Sequence, residues 1–142
     1  MVYGDLLIIA SQAPEAGVVA YDKRTCELKW KTPTIRAVGY VSPAIVKIDG
    51  EDQIVMVSAS ERSGSGRFGG QGGPPPGAPP QGVPGQGSTG GNGKVVGINP
   101  LTGKILWEFA RWDCVFPVPD ALDAGDNKVL VTGGYQLGAL ML

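Results

Sequence analysis

The side chains able to do chemistry in this chain are two cysteines, Cys26 and Cys114, four aspartates near the end, Asp113, Asp120, Asp123 and Asp126, and the indole of Trp112. Histidine is absent from all 142 residues. That removes Ser-His-Asp triads, Cys-His dyads and histidine-ligated zinc from this segment. The cysteines are too few and too far apart for a disulfide framework or a zinc ribbon, and the expectation is two unpaired, mostly structural thiols. The aspartates lack the alternating spacing and terminal glutamate of a calcium loop, so they read as solvated turn residues. Trp112 reads as a packed or rim aromatic before it reads as a stacking platform. No residue is assigned a catalytic, cofactor-binding or metal-binding role.

The elements that would have to position any site are short strands. Leu6-Leu7-Ile8-Ile9, Ile54-Val55-Met56-Val57 and Val129-Leu130-Val131 are aliphatic or β-branched runs that follow acidic or glycine-containing turns. Ala44-Ile45-Val46-Lys47-Ile48 runs into Asp49-Gly50, a hairpin signal. No three-to-four-residue apolar period is sustained, so the class is all-β. Between Glu61 and Asn92 the chain is almost wholly Gly, Pro, Gln and Ser. Such a segment has little apolar surface to repay the entropy of ordering, and it reads as a disordered insertion at 61–92. A proline-rich ligand for a partner module is the other reading of it. Net charge is −1, from 12 basic and 13 acidic residues. Nothing in that balance calls for nucleic acid, and no run approaches the ~20 apolar residues of a transmembrane segment.

An internal repeat organises the rest. Val18 to Trp30 aligns without a gap on Val95 to Trp107. In the alignment Ala20 meets Gly97, Asp22 meets Asn99, Thr25 meets Thr102, Cys26 meets Gly103, and Trp30 meets Trp107. With the insertion set aside the period is about 45 residues, the length of a four-stranded propeller blade. Pro43 and Pro119 echo it, each opening an outer segment ahead of an aliphatic strand. Within each copy, Asp22 or Asn99 has a short polar side chain able to bond turn amides, and Thr25 or Thr102 a hydroxyl. Gly103 marks the position that needs positive φ, so Cys26 implies a strained or different turn. A tryptophan on the next strand can bury ~150–250 Å².

These residues resemble the tryptophan-docking repeat of the pyrroloquinoline-quinone-type β-propellers. That pattern runs small residue, Asp or Asn, Thr, Gly, Lys or acidic, Trp. Gly97, Asn99, Thr102, Gly103, Lys104 and Trp107 fit it throughout. Ala20, Asp22, Thr25, Glu27 and Trp30 fit all but the glycine. The resemblance implies a partial propeller of about two to three four-stranded antiparallel blades of a quinoprotein-like ring, with one ring per blade packed on its neighbour. Residues 1–33 would supply the last three strands of one blade. Residues 34–110 would make a full blade carrying the 61–92 insertion between its second and third strands, and 111–142 would begin another. Since propellers close with 4–8 blades, the remaining blades are expected elsewhere on a longer chain.

The resemblance also bounds the function. A non-enzymatic scaffold for protein binding or assembly, with a protein partner, is the first reading. The alternative is part of a quinoprotein dehydrogenase, which would bring pyrroloquinoline quinone and calcium. Those enzymes carry an adjacent-cysteine disulfide under the quinone, and Cys26 and Cys114 are not adjacent. A third reading is a structural part of a larger surface protein. A periplasmic or exported location follows from the resemblance alone.

Overall fold

The computed structural model describes residues 1–11, 13, 15–35, 39–60, 93–133 and 137–142. Among them the chain is all-β, with eleven strands in three antiparallel sheets. Sheet 1 is β1 (Val2–Tyr3), β2 (Leu6–Ala10), β3 (Val18–Asp22) and β4 (Leu28–Lys31), paired in chain order. The two-residue β1 makes this a sheet of four strands where the sequence suggested three. Sheet 2 is β5 (Ala44–Ile48), β6 (Glu51–Val57), β7 (Val95–Ile98) and β8 (Ile105–Phe109), again in chain order. Residues 61–92, where the sequence suggests a disordered insertion, join β6 to β7 and lie outside the described residues. Sheet 3 holds β9 (Leu122–Gly125), β10 (Lys128–Gly133) and β11 (Gly138–Met141).

Local chemistry sets the turns. Asp49 and Gly50, at φ 53 and 80, make the two-residue connection from β5 to β6. Positive φ at both positions matches the twist of the flanking strands. Asp126 and Asn127, at φ 49 and 60, do the same from β9 to β10. In each longer turn the third and fourth strands are joined around a left-handed residue, Cys26 at φ 60 and Gly103 at φ 71.

The sheets stack face to face, and the alternation of side chains along each strand decides which way each residue points. Ile8, Val18, Ala20 and Trp30 leave sheet 1 to meet Ile54, Met56, Val96 and Ile98 of sheet 2. The intervening positions Val55, Val57 and Val95 face the other way, toward Val129 and Val131 of sheet 3. Sheet 2 is thus buried on both faces. Pro43 immediately precedes β5 and Pro119 lies ahead of β9. Both β5 and β9 are edge strands of their sheets, and they are where sheets 2 and 3 approach each other most.

Candidate functional site

The most sharply built feature of the chain is the seam between its repeated units, and it starts from the two turns. In the first, the Asp22 carboxylate oxygen Oδ1 accepts hydrogen bonds from the amides of Arg24 at 2.9 Å and Thr25 at 3.0 Å. In the second, the Asn99 side-chain oxygen accepts from Leu101 at 2.9 Å and Thr102 at 3.0 Å. The Thr25 hydroxyl accepts from the amide of Glu27, and that of Thr102 from Lys104. Backbone bonds close both turns alike: Cys26 N–H donates to Asp22 C=O and Gly103 N–H to Asn99 C=O, each at 2.9 Å. These bonds satisfy amides that the sheet ladder leaves unpaired. The amides of Thr25 and Arg24 hold the Asp22 carboxyl below its ordinary value.

Each turn places a tryptophan opposite a small residue. Trp30 pairs across the ladder with Ala20, and Trp107 with Gly97. A ladder irregularity follows both pairs, between Ala20 and Tyr21 and between Gly97 and Ile98. A side chain at Gly97 would overlap the indole of Trp107, whose Cδ1 lies 2.8 Å from where Cβ would sit. Trp30 reaches further. A side chain at Gly103 would strike its six-membered ring, with Cδ2 only 2.7 Å away. The buried ring of sheet 1 therefore lies on the bare backbone of the sheet 2 turn. Both constraints on Gly103, a left-handed φ and no room for Cβ, select glycine.

The two rings differ in their polar partner. Trp107 donates its indole N–H to the Gln53 side-chain oxygen at 2.8 Å. The register that pairs Leu6 with Asp22 and Ile54 with Ile98 puts Leu6 of sheet 1 in the place Gln53 takes in sheet 2.

Asp120 and Asp123 act between sheets, whereas Asp126 pairs with Lys128 within sheet 3. Asp120 Oδ1 accepts the Ser42 amide at 2.7 Å, and Asp123 Oδ2 accepts the Lys47 amide at 2.9 Å. Asp123 Oδ1 also accepts the Gly125 amide, and the Lys47 and Gly125 amides together hold this carboxyl below its ordinary value. The two tight hairpins reach each other as well. Asp49 N–H donates to Asn127 Oδ1 and Asn127 Nδ2 donates to Asp49 Oδ1, both at 2.7 Å. Between sheets 1 and 2 the Tyr3 hydroxyl donates to Asp52 at 3.2 Å. Lys47, at 2.9 Å, and then Tyr3 hold Asp52 below its ordinary value. Gln53, Asn127 and Asp52 carry no repeat signature, so the spacing of residue types did not single them out. Their role appears only once residues 49 to 78 positions apart in the chain are brought together.

Cys26 is exposed in its turn and Cys114 is buried in the second core, both as free thiols. Burial pushes the Cys114 thiol up. Trp112 is buried in the same core beside Cys114. Among the described residues no group of three or more Cys, Asp or Glu is arranged to hold a metal ion. No helix among them is long and apolar enough to cross a membrane. Comparison with protein-family models finds no match, and comparisons with curated proteins and with solved structures find none either.

Proposed function

We propose that the three sheets are consecutive blades of a β-propeller of the tryptophan-docking, pyrroloquinoline-quinone-type class, and that the segment works as a non-enzymatic scaffold for protein binding or assembly. The observation that carries the reading is the seat of Trp30 on Gly103. It joins the two copies of one repeat in the order a ring of blades requires, ring of one unit on turn of the next. The direction of stacking supports it too. Sheet 1 offers to sheet 2 the face that sheet 2 offers to sheet 3, so each contact is head-to-tail, the kind that closes into rings. Binding to proteins fits the exposed apolar residues Leu7 and Ile9 on sheet 1 and Leu122 and Met141 on sheet 3.

Trp30→Ala tests the blade arrangement. Hydrogen exchange should accelerate both in sheet 1 and in the Asn99–Gly103 turn of sheet 2. Acceleration confined to sheet 1 contradicts coupled blades. Thermal unfolding with added pyrroloquinoline quinone and calcium tests the scaffold role against the dehydrogenase, and no shift is expected. A saturable rise in melting temperature would reverse the assignment. A stoichiometric protein complex that survives removal of residues 61–92 is the matching positive result for the scaffold.

A further inference from the structure

Asp49-Gly50 is the one Asp-Gly dipeptide in the sequence, and it forms the two-residue turn between β5 and β6. A glycine amide is the least hindered backbone nucleophile toward a preceding aspartate, because no side chain screens it. Both residues are exposed, and beyond its chain neighbours no heavy atom lies within 4 Å of where a Gly50 side chain would begin. Water and the Gly50 nitrogen both have a route to the Asp49 carboxyl. The restraint on it comes from another sheet. Asp49 N–H donates to Asn127 Oδ1 and Asn127 Nδ2 donates to Asp49 Oδ1, each at 2.7 Å. One side-chain amide of sheet 3 thus grips the nitrogen and the carboxylate of Asp49 together, and it ties down the rotation that attack on that carboxyl requires. In the matching turn of sheet 3, Asp126 is followed by Asn127, whose own side chain screens the amide.

We propose that Asp49-Gly50 is a site of aspartate isomerisation gated by the contact between sheets 2 and 3, reacting when Asn127 lets go. In the first step the Gly50 nitrogen bonds to the Asp49 carboxyl carbon. One carboxyl oxygen leaves as water, taking the amide proton and the proton of the acid form, and a cyclic imide remains. Water then adds to the main-chain carbonyl carbon of Asp49. The bond from that carbon to the Gly50 nitrogen breaks, and the nitrogen regains a proton. The chain now runs through Cβ and Cγ, and the former main-chain carbonyl has become a free carboxylate. Composition is unchanged, so no oxidant or reductant is consumed. The turn gains one backbone atom between Ile48 and Glu51, which pair directly across the hairpin. A two-residue turn matches the twist of its strands through its own geometry, so the product loosens the hairpin end that holds Asn127. Opening of the seam is thereby recorded as a covalent change. The inference stands on the hairpin and its bonds to Asn127, and it does not need the sheets to be blades.

The test is ageing at neutral pH, followed by proteolysis and separation of the peptide that spans Asp49. The isoaspartyl form elutes apart at unchanged mass and accepts a methyl group from an isoaspartyl methyltransferase. Native protein is compared with the same protein held unfolded in denaturant and with Asn127→Asp. That variant keeps an acceptor for the Asp49 N–H and a residue type that tolerates the left-handed turn, but it removes the donor to Asp49 Oδ1. Conversion is expected to be fastest in the unfolded chain and slowest in the native protein. Folded Asn127→Asp should convert about tenfold faster than the native protein, the effect of losing one hydrogen bond to a charged group. Absence of isoaspartate in the unfolded chain overturns the site, and equal rates in native and unfolded protein overturn the gate. An unchanged rate in folded Asn127→Asp overturns the part given to Asn127. Should that variant unfold, the native protein decides. In denaturant below its unfolding transition, isomerisation must rise in step with hydrogen exchange of the Asp49 amide, and a flat rate overturns the proposal.

Discussion

Gly103 carries two demands at once, since its backbone is left-handed and the Trp30 ring closes the space where a side chain would begin. Gly103→Ala should therefore cost about 2–3 kcal/mol, the sum of left-handed strain and a forced shift of a packed ring. Denaturant unfolding measures it, and a loss under 0.5 kcal/mol, the ordinary range of surface changes, would mean that the contact yields freely. Cys26 has the same backbone and no ring upon it. Cys26→Gly should stabilise by about 0.5 kcal/mol, because relief of left-handed strain slightly exceeds the added chain entropy. The two thiols should also separate by reactivity. A neutral thiol reagent labels exposed Cys26 in the native protein and leaves buried Cys114 until unfolding. The sequence marked Gly103 as the positive-φ position and Cys26 as its strained counterpart. It did not reveal that Cys26 is exposed, contrary to the usual burial of lone thiols, because exposure depends on whether a neighbouring sheet covers the turn.

At the scale of the element, the two long turns are the same device with one difference in charge. Asp22 accepts its amide bonds as an anion, whereas Asn99 accepts them as a neutral amide. Asp22 and Asp123 titrate below their ordinary value because amides favour the charged form. Their stabilising contribution is present in full above the ordinary aspartate value of 3.8. It is lost as pH falls through the lowered folded-state values. Unfolding followed from about pH 6 to about pH 2 should show stability declining in the acid limb. Asp22→Asn, which makes the first turn like the second, should flatten part of that decline. An unchanged acid limb in this variant would place the pH dependence elsewhere. The strands and turns were legible because each rests on a local pattern, such as alternating aliphatics, Asp49-Gly50 or the Asx and threonine pairs. The inter-sheet bonds of Asp120, Asp123 and Asn127 were not legible. The same acidic spacing is compatible with free solvation, and only the approach of β9 to β5 supplies the amides they cap.

Across the whole molecule, burial is uneven in a way that should govern motion. Sheet 2 is covered on both sides, whereas sheet 1 leaves Ile9 42% exposed and sheet 3 leaves Leu122 57% exposed on their far faces. Amide exchange should be slowest in β6 and β7 and faster in β2 and β10, since opening free energy follows apolar contacts. Equal protection in all three sheets would mean that both outer faces are covered in solution. The apolar rows on those faces, Leu7 and Ile9 at one end and Leu122 and Met141 at the other, are surface that partners are expected to cover.

The roots of the long connection in sheet 2 are tied off before it begins. Ser58 and Lys94 exchange bonds, with Ser58 N–H on the Lys94 carbonyl at 2.8 Å and Lys94 N–H on the Ser58 hydroxyl at 3.0 Å. Ser60 N–H then fastens to the Cys114 carbonyl at 2.9 Å. Splicing residues 61–92 down to a short Gly-Ser bridge should leave the sheet intact and raise stability by about 1 kcal/mol, the entropy of closing a smaller ring. The same knot makes this a port: the domain can exchange what it displays there, by evolution or by engineering, without renegotiating how it folds.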